Sequence, residues 1–154
     1  MSTQTLTTNA GEHAYGHIEP VQVHFDDIDL MGIVHNVRYG LFIERALTPF
    51  WMRNGWNWDP SRSRFGDIIL AVKELAITFH VPITDAGEIA VHFWVDKLGT
   101  TSIVYGFRIL SADHGVVHAE GRRVQVGIDR TTGRPKPFGD DLRAAVAPLL
   151  RGDA

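Results

Sequence analysis

Apolar and polar positions follow two different rhythms along this chain. Over residues 17–25, Ile18, Val21, Val23 and Phe25 partly alternate with polar residues, the pattern of a short strand with one buried face. From about Asn36 the period lengthens. Tyr39, Phe42, Ile43, Ala46 and Phe50 recur three or four positions apart and draw one stripe along a helix. Asn36 is the expected N-cap, Pro49 should loosen the last turn, and Asn54-Gly55 should end it. A loop over 55–66 follows, carrying Trp56, Trp58 and Pro60. Four runs rich in Val, Ile, Phe and Thr then cover 67–81, 87–98, 101–112 and 115–129, parted by the turns DAGE, LGTT and ADHG. Links that short predict antiparallel neighbours. Residues 131–138 read as an irregular exit, and 140–150 as a short last helix broken near Pro148.

The order strand, helix, four strands predicts an α+β fold. With 154 residues there is chain for one domain, expected over 16–150 behind a loose polar tail at 1–15. One helix cannot cover both faces of five strands, so a sheet edge or face is expected to meet another subunit.

Charge and composition narrow the function. A net charge of −3 lacks the basic excess of a general nucleic-acid binder. The absence of cysteine excludes disulfides, thiolate catalysis and thiolate zinc sites. The first dozen residues lack the basic start and apolar stretch of a signal peptide, and no run approaches the length needed to cross a bilayer. The expectation is a cytoplasmic protein without membrane or nucleic-acid partners.

Chemistry concentrates in VHFDDIDLMGIVHNVRYGLFIERA, residues 23–46. A strand ends in Asp26, Asp27 and Asp29, Gly32 follows, and a helix opens near residue 36. Acids placed there have two readings. They can cap the helix and complement its dipole, or one can act as base or nucleophile while helix-start amides polarise a carbonyl. Asp26 and Asp27 would point to opposite faces of a continuing strand, and no histidine pair completes a ligand set, so no metal is expected.

This segment resembles the opening signature of the 4-hydroxybenzoyl-CoA thioesterase-like branch of the hotdog superfamily. It reads Asp27-Ile28-Asp29, Gly32, Val34, His35-Asn36 and Tyr39, continued by Phe42, Glu44 and Arg45. The runs VDKLGTTSIVYGFRIL, AEGRRVQVGIDRTTGRP and GDDLRAAV keep the family's cadence, so the resemblance covers roughly 17–148. It implies an antiparallel sheet wrapped around one long central helix, and subunits paired into a continuous sheet as a homodimer or homotetramer, with active sites at the dimer interface. It also implies an acyl-CoA or acyl-carrier-protein thioesterase without a cofactor, in which Asp29 attacks the acyl carbon or activates water. The amide of Asn36 would polarise the thioester carbonyl, and Gly32 and Val34 would lie beside the substrate. The rest have two readings. His35 orients water or substrate, or packs the helix entry against the partner chain. Tyr39 lies beside the substrate or in the core. Arg134 and Lys136, with Arg130, hold CoA phosphates or form a solvated loop. Asp27 is expected to bond the turn.

Other residues keep two readings. Glu44 and Arg45 fall off the apolar stripe, as an ion pair or solvated face, with Glu44 a reserve catalyst. Trp51, Trp56, Trp58 and Phe65 form either an acyl pocket for a bulky aromatic or polyunsaturated group or a satellite cluster. His80, His92, His114 and His118 show no ligand spacing and are expected to be structural. Two other functions remain open: a hydratase or dehydratase of 3-hydroxyacyl thioesters, and a non-catalytic acyl-thioester-binding subunit.

Overall fold

The computed structural model describes residues 15–152. The tail expected over 1–15 lies, apart from Tyr15, outside them. The elements are β1 (His17–Val23), α1 (Arg38–Arg53), β2 (Ile68–Phe79), β3 (Gly87–Leu98), β4 (Ser102–Ser111), β5 (Val117–Asp129) and α2 (Asp140–Val146). The strands form one antiparallel sheet in the order β1-β3-β4-β5-β2, so the α+β expectation holds. Beside α1 stands the short second helix α2, where the family resemblance implies a single long one.

Two local expectations are corrected. The link after β2 is no hairpin, because β2 pairs with β5 and β3 with β1. Three strand spacings span about 14 Å, within the roughly 23 Å reach of a seven-residue link. Ile83 in this link is buried and its carbonyl accepts the Val34 N–H at 2.8 Å, which docks the link under the start of α1 instead of turning it back. The second correction concerns the cap. Val37, without a capping side chain, occupies the N-cap position, and Asn36 stands one residue outside. The helix runs through Pro49 and ends at Asn54, whose side chain donates to the Phe50 carbonyl at 2.8 Å; Gly55, at φ 106°, then turns the chain away.

α1 lays Tyr39, Phe42, Ile43, Ala46, Leu47 and Trp51 on one face of the sheet, against Val91, Phe93 and Val95 of β3 and Ile103, Tyr105, Phe107 and Ile109 of β4. Leu142, Ala145 and Val146 of α2 join the same core. Directly paired residues share a face, so β5 continues this inner face with Ala119, Gly121, Arg123 and Gln125. Gly121 is required there: a Cβ would lie 1.9 Å from the Ala76 carbonyl oxygen of β2. The last strand, β2, is an edge. Its inner-face residues Val72, Leu75 and Phe79 remain 44–49% exposed because the single long helix does not reach over them.

Candidate active site

Beyond β1 the chain makes one 3-10 turn, Phe25–Asp27, and then a tight reversal closed by a bridge between Ile28 and Val34. Inside the reversal Asp29 N–H donates to the Ile33 carbonyl at 2.8 Å and Gly32 N–H to the Asp29 carbonyl at 3.0 Å. Gly32 adopts φ 79°, a conformation that side chains disfavour.

Asp27 anchors this loop. Its carboxylate is buried and accepts the His24 N–H at 2.8 Å and Arg45 Nη1 at 3.1 Å, with Arg38 Nη1 at 3.7 Å, while His35 N–H donates to its carbonyl at 2.9 Å. Burial pushes the carboxyl up. The His24 amide and the guanidinium groups of Arg45 and Arg38 outweigh that and hold it below the ordinary carboxylate range. The expected Glu44–Arg45 pair is therefore split: Arg45 serves Asp27, and Glu44 pairs with Arg123.

Asp29 is different. It is partly exposed, one oxygen accepts the Met31 N–H at 2.8 Å, and the other has no hydrogen-bond partner among the described residues. Together with Val34, His35, Asn36 and Tyr39 it lines a cavity of about 440 Å³ whose other wall is Phe79, His80, Val81 and Pro82. Tyr39 is buried with its ring edge-on to Phe79 at 4.9 Å. Burial raises its phenol, partly offset by a hydrogen bond with the Ile83 backbone.

The helix start leaves one amide open. Val34 N–H goes to Ile83, His35 N–H to Asp27, Val37 N–H to His35 Nδ1, Arg38 N–H to the His35 carbonyl, and Tyr39 N–H to the Asn36 carbonyl. Of these six consecutive amides only Asn36 N–H has no partner among the described residues. A carboxylate with a free oxygen and an unpaired amide on one largely apolar cavity are two of the parts that acyl transfer needs.

Five residues singled out in the sequence thus meet in one place: Asp29, Val34, His35, Asn36 and Tyr39. Gly32 shapes the turn without lining the cavity. Arg134 and Lys136 lie elsewhere in the chain. Lys136 Nζ donates to the Asp67 carbonyl at 3.2 Å, and Arg134 is exposed in a turn whose Asp129 carboxylate accepts the Thr131 and Thr132 amides. Sequence reasoning missed the far wall. Residues 79–82 arrive from the end of a strand forty positions downstream, and His80, read as structural, both lines the cavity and lies 3.3 Å from Glu120. No local spacing signals that approach.

The chain is similar to known proteins along most of its length. Residues 23–146 match the thioesterase-like superfamily. The chain is 21% identical over 117 residues to the acyl-CoA thioester hydrolase YbgC of Escherichia coli, an alignment covering 76% of this chain and 85% of that protein. A crystal structure of a Pseudomonas aeruginosa protein superposes with a TM-score of 0.79 at 27% identity, covering 88% of this chain and 92% of the other. The DHNA-CoA thioesterase of Staphylococcus aureus does so with a TM-score of 0.72 at 21% identity, covering 83% and 86%. With the Asp29 loop, the long helix and strands β2 to β5 inside the matched span, the chain belongs to the thioesterase-like superfamily and is a thioester hydrolase.

Proposed function

We propose that the protein is an acyl-CoA thioesterase with Asp29 as its catalytic carboxylate. The observation that carries this reading is the meeting of Asp29 and the unpaired Asn36 N–H on one cavity, in a chain of this superfamily. A thioester carbonyl placed against the Asn36 amide would be polarised as negative charge grows on its oxygen. Asp29 then attacks the acyl carbon, giving a mixed anhydride that water cleaves, or takes a proton from water as it attacks; either route ends in a carboxylate and a free thiol. His35, beside both groups, orients the water or the acyl group.

The same reading includes a paired subunit, and the exposed β2 edge supports it. Two copies joined antiparallel along β2 would bury Val72, Leu75 and Phe79. They would also carry the start of β2 in one copy toward the Asp29 cavity at the end of β2 in the other. Arg130, Lys136 and the adjoining Arg134 flank that start, through Asp67, and so could meet CoA phosphates in a partner's site rather than their own. A soluble cytoplasmic enzyme acting on CoA esters completes the proposal.

A second reading has one observation in its favour. His35 and His80 share the cavity with Asp29, and hydratases of 3-hydroxyacyl thioesters pair an acid with a histidine. Free-thiol release from a panel of aromatic and aliphatic acyl-CoAs, by wild type and Asp29→Asn, separates the two. Turnover that collapses in the variant supports the thioesterase. Activity that survives moves the role away from Asp29, and water addition to an enoyl thioester without thiol release establishes the hydratase.

A further inference from the structure

Two cavities flank helix α1. The one along its later half, about 340 Å³ between Trp51, Trp56 and the start of β2, shares no lining residue with the Asp29 cavity. On the thioesterase reading the reacting carbonyl belongs to the Asp29 cavity. There His35 has two tasks open to it, the water or the acyl group, and its own hydrogen bonding decides between them.

The Val37 amide, at the helix start, meets no helical carbonyl and donates instead to His35 Nδ1 at 3.3 Å. A ring nitrogen that accepts an N–H bears no hydrogen of its own. A neutral imidazole carries a single N–H, so that hydrogen sits on Nε2. Nε2 has no hydrogen-bond partner among the described residues. The residue is exposed, and with Asn36 it lines the Asp29 cavity. Asp29 and His35 are also the two residues that this cavity shares with a neighbouring hollow over Val37 and Arg38, so both stand where the two spaces meet.

That tautomer limits what the ring can do. With a hydrogen on Nε2 and the Nδ1 lone pair engaged, it has no free site for a proton, so it is a donor and not a base. A donor aimed at the attacking water would draw on the lone pairs that water needs for attack. Aimed at the carbonyl oxygen, it meets charge that grows during the reaction. The unpaired Asn36 amide supplies only one of the donors that such an oxygen can accept.

We propose that His35 Nε2–H is a second donor to the thioester carbonyl oxygen, beside the Asn36 amide; the proposal rests on the thioesterase reading. As the attacking oxygen bonds to the acyl carbon, the carbonyl electron pair moves onto its oxygen between the two N–H groups. The pair returns as the C–S bond breaks and its electrons leave on sulfur, which takes a proton from Asp29 or from solvent according to the route. His35 keeps its hydrogen throughout.

Three variants at this exposed position separate the tasks, each followed by thiol release from the acyl-CoA that wild type turns over fastest. His35→Gln sets an amide N–H near the place of Nε2–H. His35→Asn keeps an oxygen near the place of Nδ1 for the Val37 amide and lacks the far donor, and His35→Leu lacks both. His35→Asn and His35→Leu should lose at least about tenfold in kcat, less than an enclosed oxyanion donor because the position is exposed. KM should hold, since the bond strengthens only as charge grows. His35→Gln should keep kcat within a few-fold of wild type. An equal loss in His35→Gln and His35→Leu overturns the proposal and makes the ring a base. Full activity in His35→Asn beside a loss in His35→Gln also overturns it, and reduces His35 to the partner of the Val37 amide. Unchanged kcat in all three removes His35 from the chemistry. Thermal midpoints equal to that of wild type keep these outcomes apart from misfolding. Should wild type release no thiol from any acyl-CoA, the thioesterase reading falls and this proposal with it, whereas an active wild type with the wrong ranking of variants sinks the proposal alone.

Discussion

The two cavities that flank helix α1 are built on opposite plans. At the helix start, geometry is set by backbone: a reversal closed by main-chain hydrogen bonds, an amide left open at Asn36, and one side chain, Asp29, that reaches the space with a free oxygen. Along the later half of the helix everything depends on side chains, with tryptophan walls over an arginine and a glutamine. A backbone-built site keeps its shape through many substitutions and suits a chemistry that stays fixed. A side-chain-built site can be recut one residue at a time, which suits selection among substrates. Substitutions on the first plan should therefore change rate, and on the second, preference.

The largest effect should follow from Asp29→Asn. The turn contact to the Met31 amide survives in the amide side chain, so the loop should keep its shape while the base or nucleophile is lost. A fall of at least about a hundredfold in kcat on the best acyl-CoA, with an unchanged thermal midpoint, is the expected outcome. A smaller loss would transfer the rate-setting role to another group on that cavity, with His35 and His80 the first to test.

Asp27, two residues away, should show the contrary profile, with stability lost and chemistry affected only through the loop. Replacing it with Asn leaves Arg45 and Arg38 without their carboxylate and should cost about 2 kcal/mol at neutral pH. The pH dependence has a definite sign. The folded carboxyl lies below its ordinary value of 3.8. Its stabilisation is therefore complete above the unfolded pKa and is lost as pH falls through the folded one. Denaturant melts of wild type and Asp27→Asn should differ fully at pH 7, converge below about pH 4, and coincide at still lower pH. A gap that stays constant across that range would show that the ion pair is not its source.

The contrast between these aspartates also shows what sequence can disclose. The Asp-x-Asp signature marked the catalytic candidate and the acid that bonds the turn, because both lie in one local segment whose spacing fixes the loop. The helix and all five strands were legible for the same reason, since each is marked by its own local run of residues. What lay beyond reach was set at long range. The link at 80–86 has turn-like residues and reads as a hairpin, yet Ile83 buries itself beneath the helix start and sends the chain to the opposite part of the sheet. Asn36 looks like an N-cap, but the cap falls one residue later, at Val37, and leaves the Asn36 amide, rather than its side chain, as the useful group. Nothing in the local sequence around Arg123 marks it as inward-facing. Only the register between β4 and β5 turns it inward.

The β2 edge connects the two plans, since one cavity borders its start and the other its end. If two copies join there, a like charge placed opposite itself across the two-fold should weaken the pair. Leu75 lies near the middle of β2, is half exposed in one chain and pairs across the strands with Arg123, so Leu75→Glu meets an opposite charge within its own chain and the protomer should fold normally. Sedimentation velocity should show the dimer dissociating at least about tenfold more readily. If Arg134 and Lys136 act on a partner's site, KM for CoA esters should rise at concentrations where monomer prevails. Unchanged sedimentation would remove the edge from the interface.

The smallest effect concerns the hydrogen bond that joins the second cavity to the core. Trp51 N–H donates to the Tyr105 hydroxyl at 3.0 Å, and both residues are buried. Burial drives the Tyr105 phenol well above its ordinary value, so it stays protonated at every working pH and offers the indole a constant acceptor. Tyr105→Phe keeps the ring and removes that acceptor, which should cost about 1 kcal/mol in chemical denaturation. Because Trp51 lines the aromatic cavity and not the Asp29 cavity, kcat on a short aliphatic acyl-CoA should be unchanged. A fall in kcat beside the loss of stability would mean that the helix transmits the disturbance along its length, and that the two cavities are less independent than their separate linings suggest.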